Sequence, residues 1–88
     1  MVEFINEPVV VEVHLRSDGA LQPLAFVWRG QRFQVRSWGR ESEEMRGGQV
    51  VRCYLVQTAG SKTWELCHEK ETAHWLLVRA WAVGPRTV

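Results

Sequence analysis

The sequence predicts an all-β fold: about six antiparallel strands in a meander, drawn into a strongly bent sheet or a small SH3-like open barrel. Three observations carry this. Period-two alternation of apolar and polar residues recurs along the chain, whereas no window holds the i, i+3, i+4, i+7 spacing of an amphipathic helix over three turns. Turn clusters punctuate the chain at short intervals and leave no room for parallel crossovers. Five tryptophans stand among 88 residues, and large aromatics let a short chain stabilise a thin core. The length fits one domain, residues 1–88.

The first strand is read from Val9, Val11, Val13 and Leu15, which alternate with Val10, Glu12, His14 and Arg16 up to the turn cluster Ser17-Asp18-Gly19. A hairpin follows, with Leu24–Arg29 and Arg32–Arg36 flanking Gly30-Gln31. Glycine at the first central position suits a type II′ turn. Leu24, Phe26, Trp28, Phe33 and Val35 then share one face, where cross-strand aromatic pairs contribute about 0.2–1 kcal/mol each. The polar stretch Gly39–Gly48 reads as the one long loop, with room for a helical turn over Glu41–Arg46. A second hairpin runs Gln49–Gln57, turns near Gly60-Ser61 and returns over Thr63–His68, setting Leu55 against Leu66. The last strand, His74–Val83, ends at Gly84-Pro85. Placing Leu66 opposite Leu76 gathers Trp64, Leu66, Leu76 and Val78 on one face. Tyr54, Val56, Cys67, Trp75, Leu77 and Trp81 collect on the other, with Arg52, Glu65 and Arg79 among them.

Eleven basic residues stand against ten acidic ones, a net charge of +1, which argues against a strongly electrostatic nucleic-acid binder. No apolar stretch approaches the roughly 18 residues that span a bilayer. The first eight residues lack the pattern of a signal peptide. The expectation is a cytoplasmic chain, away from membranes, with Cys53 and Cys67 both reduced.

The pattern Phe26-x-Trp28-Arg29-Gly30-x-x-Phe33-x-Val35, then Trp38, Tyr54-x-Val56, Trp64-Glu65-Leu66 and Trp75-Leu76-Leu77-x-Arg79-x-Trp81 resembles an uncharacterised family of small bacterial all-β domains. That family occurs free-standing or appended to inactive Y-family polymerase-like proteins of mutagenic repair. The resemblance covers roughly residues 24–82. Its motifs are aromatic and structural. The chain departs from it with Trp64 where tyrosine is more usual, and with a 39–48 segment poor in aromatics. The resemblance implies a DNA-damage-tolerance context and carries over no catalytic residue.

Cys53, Cys67, His68 and His74 are the candidate metal set. Zinc wants four converging S/N ligands, and here no CxxC or HxxxH spacing exists. The pairing above also turns Cys67 away from Cys53, so no metal and no cofactor are expected. Cys67-His68 makes a poor dyad because adjacent strand residues face opposite ways. Glu41, Glu43 and Glu44, like Glu69 and Glu71, read as solvated charge. Gly47-Gly48 lacks the lysine and helix of a phosphate loop.

The strongest functional hint is apolar surplus. Both faces of the C-terminal sheet read as apolar, whereas an antiparallel sheet needs one. The expectation is a non-enzymatic protein-interaction module contacting a protein partner or a second copy through Trp75, Arg79 and Trp81. The alternative is a weak single-stranded nucleic-acid binder using Arg36, Arg52 and Arg79 beside aromatic rings. A small enzyme of unknown reaction is the third reading, and it requires a pocket with convergent polar groups.

Overall fold

The computed structural model describes residues 2–60 and 62–82. They form seven strands: β1 (Val2–Leu15), β2 (Leu21–Trp28), β3 (Gln31–Gln34), β4 (Ser37–Arg46), β5 (Gln49–Gln57), β6 (Lys62–Glu69) and β7 (Trp75–Ala82). All pairings are antiparallel, in one unclosed sheet of order β3-β2-β1-β7-β6-β5-β4. The all-β meander expected from the alternation is therefore present, with one strand more than expected. Ser61 and the Gly84-Pro85 stop lie outside the described residues.

The sheet bends because β1 serves two partners. Its first part pairs with β7 and its second with β2. Register breaks between Phe4 and Glu7, and again between Glu12 and Val13, turn the strand as it passes from one to the other. The curl is large. Phe33 on β3 and Trp64 on β6 are four strand spacings apart, about 19 Å in a flat sheet, yet their ring centroids lie 4.8 Å apart. The edge strands β3 and β4 are consecutive in sequence, joined by Val35-Arg36 across the seam. Arg36 N–H donates to the Gln57 carbonyl at 2.7 Å, and Val35 N–H donates to that of Leu24 at 2.9 Å.

Inside the curl lies the main core: Phe26, Val35, Tyr54, Val56, Trp64, Leu66, Trp75, Leu77 and Ala80. Trp64 is its keystone, packed edge-on against Phe26 (5.1 Å) and Trp28 (5.8 Å). Its indole N–H donates to Thr58 Oγ1 at 2.8 Å. Glu7 ties β1 to the β2–β3 turn, accepting from Trp28 Nε1 at 2.8 Å and Arg29 Nη2 at 2.6 Å. The bonds from Arg29 and Trp28 hold its carboxyl below the ordinary glutamate range.

Five expectations need correction. The first turn is Arg29-Gly30, both at positive φ, which is type I′ rather than II′. The pairing moves by two residues, so the aromatic face is unchanged and Phe26 meets Phe33. The supposed loop 39–48 is mostly strand β4, held by backbone pairing to β5 and closed by Gly47-Gly48 at positive φ. An edge strand needs no apolar face, and charged side chains protect it from stray pairing. In the second hairpin Thr58 N–H donates to the Lys62 carbonyl at 3.1 Å, so three residues connect the strands and Leu55 meets Glu65, not Leu66. Leu66 pairs with Leu77 and Cys67 with Leu76. A one-residue change reverses every facing. Cys53 and Cys67 therefore lie directly opposite each other on one face and are joined as a disulfide, where two separated, reduced thiols were expected.

Candidate functional site

The corrected registers redistribute the predicted site. Trp75 belongs to the core at 9% exposure, against Tyr54 and His68. Arg79 and Trp81 lie on the outer face of the β1-β7-β6-β5-β4 wing. Val2 pairs with Trp81 and Phe4 with Arg79, and directly opposed residues share a face. Arg79 pairs in turn with Glu65, and Glu65 with Leu55. The row Phe4-Arg79-Glu65-Leu55 thus crosses four strands. The row Val2-Trp81-Thr63-Gln57 runs beside it.

This face is only partly covered. The N-terminal segment extends the sheet alongside β7 instead of lying over it, and β4 does the same beside β5. Phe4 is 71% exposed and Val2 41%. Arg79 Nε donates to Glu65 Oε1 at 2.7 Å, and its guanidinium lies 5.1 Å from the Trp81 ring. The guanidinium is held between a carboxylate and an aromatic ring, which pre-organises it and lowers the entropy lost on contact. Further along the face, Val51, Cys53, Cys67 and Val78 form a small buried cluster with Leu76 against it. Phe4 and Val2 were missed because the alternation beginning at Val9 drew the first strand seven residues too short.

The arginines of the nucleic-acid reading lie in three places. Arg52 donates to Glu41 (2.8 Å) and Glu43 (3.2 Å). Arg79 is held by Glu65. Arg36 lies at the seam, beside a cleft shared with Lys62.

A cleft of about 420 Å³ opens at one mouth of the curled sheet, lined by Asp18, Leu21, Arg52, Tyr54, His68 and Lys70 among others. Its cations are tied to β4 acids, Lys70 to Glu43 at 2.9 Å. Burial pushes the Tyr54 phenol up and holds the His68 imidazole below its ordinary 6.5. His68 stacks on Trp75 at 4.6 Å. It faces inward while the two sulfurs face outward, so the histidine–cysteine set does not converge. Cys53, Glu65 and Cys67 do bring ligand atoms within 4.8 Å, but the sulfurs are bonded to each other and Glu65 is occupied by Arg79.

His68 gives a pH prediction. Its folded pKa is depressed, so the fold is favoured with the imidazole neutral. That contribution is complete above the unfolded value of about 6.5 and is lost as pH falls through it toward the folded pKa. The carboxylates with shifted pKa, Glu7, Glu12, Asp18 and Glu43, are all lowered and act below about pH 4.5. The melting temperature is expected to drop between pH 7.5 and 5.5, and His68→Gln to flatten that drop. An unchanged slope in the variant counts against the assignment.

Comparison with family models, with curated proteins and with solved structures returned no match. No helix among the described residues is long and apolar enough to cross a membrane.

Proposed function

We propose that the chain is a non-enzymatic protein-interaction module whose contact surface is the outer face around Val2, Phe4, Arg79 and Trp81. The observation that carries this is Phe4, an exposed aromatic fixed on a sheet beside Trp81 and a clamped arginine. Aromatics and arginine are the residue types that dominate interface hot spots. The occupant is a protein partner or a second copy of the chain. We place the module in a DNA-damage-tolerance assembly on the family resemblance alone, and in the cytoplasm on the absence of a signal-peptide pattern at its first residues.

The test is a double variant, Phe4→Ser with Trp81→Ser, checked for native circular dichroism. Sedimentation over a range of concentrations reads self-association. Affinity capture from an extract of the source cell, parent against variant, reads a foreign partner. Hot-spot loss of 2 kcal/mol or more corresponds to at least about a thirtyfold weakening. A folded double variant that matches the parent in both assays ends this reading.

A further inference from the structure

The unclosed sheet leaves a second feature, separate from the outer face. At the seam, the free edge of β3 looks across a cleft of about 310 Å³ toward the β5–β6 turn. Arg32, Gln34 and Arg36 line one side; Thr58, Lys62 and Trp64 line the other. None of the residues lining it is acidic. Among the described residues, Arg36 and Lys62 have no carboxylate within ion-pairing distance, while most other arginines and lysines do. Lys62 rests over the Trp64 ring at 4.6 Å, and Arg32 is held by Glu12 at 2.8 Å.

The backbone at this edge also has no strand partner. Val35 N–H bonds to the Leu24 carbonyl. By antiparallel alternation Phe33 and Gln31 turn to β2 as well, so Arg32 and Gln34 direct their N–H and C=O groups away from it. An exposed edge of this kind is a template for another strand. β4 guards its edge with charges of both signs, whereas on β3 the one cation, Arg32, is already paired with Glu12 and the uncompensated charges beside the edge, Arg36 and Lys62, are both positive.

We infer that the β3 seam binds an extended acidic segment of a partner protein, added as a further strand along Gln31–Gln34. Backbone bonds to Arg32 and Gln34 hold it, and its carboxylates pair with Arg36 and Lys62. The alternating geometry of a strand places every second side chain toward the cleft, so a segment with an acid at alternate positions fits. A nucleic-acid strand would use the cations but not the backbone edge.

The experiment uses fluorescence anisotropy with a labelled peptide alternating glutamate and valine, its glutamine counterpart, and labelled oligothymidylate, each at low and moderate salt. Arg36→Glu is the test variant. Arg40→Glu, which alters a cation on another part of the molecule, is the control. The glutamate peptide is expected to bind with salt-sensitive affinity, to weaken about tenfold or more in Arg36→Glu, and to be unaffected by Arg40→Glu. Amide exchange at Arg32 and Gln34 is expected to slow in the complex. Equal binding of the glutamine peptide, preference for oligothymidylate, unchanged affinity in Arg36→Glu, or self-association of the chain through this edge overturns the inference. None of these outcomes bears on Phe4 or Trp81, so the two surfaces are judged separately.

Discussion

Replacing Trp64 by alanine is expected to remove most of the stability of the fold at 25 °C and leave the chain marginally folded. The side chain is 1% exposed and touches aromatic rings from β2 and β3, the wing folded over from the far end of the sheet. No backbone ladder joins β6 to either strand, so side-chain packing and the Val35-Arg36 link hold the curl. Truncating a buried tryptophan costs about 3–5 kcal/mol. That is comparable with the whole stability of a small domain, about 5–15 kcal/mol and near the lower end at this length. Trp64→Phe separates two contributions. It retains an aromatic ring but strands the Thr58 hydroxyl, at a cost of about 1–3 kcal/mol, and should melt cooperatively at lower urea. Urea titration followed by far-ultraviolet dichroism checks both. An alanine variant within about 1 kcal/mol of the parent means that something other than this cluster closes the fold.

The contrast between the two hairpins shows what alternation can and cannot reveal. In β2–β3 one face is rich in aromatics and the other carries Gln34 and Arg32, so a pairing slip of two residues left the faces intact. In β5–β6–β7 both faces are apolar. Leu66 opposite Leu76 reads as well as Leu66 opposite Leu77, and nothing in composition separates them. Two separate slips followed: a third residue in the Thr58–Lys62 connection moved Cys67 from the face of Tyr54 to that of Cys53, and pairing Leu66 with Leu77 kept Trp75 on the face of Tyr54 while Cys67 left it. A bulge then added its own offset, since Val78 has no partner between the Glu65–Arg79 and Leu66–Leu77 pairs. β4 was illegible for a different reason. Its strand character comes from backbone pairing, and Glu41 and Glu43 are spent on Arg52 and Lys70 rather than on any core. Arg79 and Trp81 were placed together correctly by sequence because they are two apart on one strand. Their neighbour Phe4 depends on a pairing between the two ends of the chain, which local pattern does not encode.

The second large effect is expected at the Cys53–Cys67 disulfide. The bond closes a hairpin with a sequence separation of 14, and a loop of about 15 residues corresponds to roughly 3 kcal/mol of lost unfolded-state entropy. For a domain of this size that lowers the melting temperature by roughly 12–24 °C on reduction. The fold itself should survive, because the disulfide sits in the small outer cluster while the main core lies on the opposite face. Two comparisons separate crosslink from packing. Reduced parent protein retains both sulfurs in place and loses only the crosslink. Cys53→Ala with Cys67→Ala also leaves a cavity and should fall slightly further. Thiol titration of unfolded protein prepared without reductant checks the premise, and two free thiols there would remove it. The result also bears on where the chain works. The disulfide shares the outer face with Glu65 and Arg79, which line one shallow cleft with Cys53. In a reducing cytoplasm this strip of the proposed contact surface would be the part that loosens first, because its packing is a thin cluster on one face, without the interlocked aromatics that hold the other.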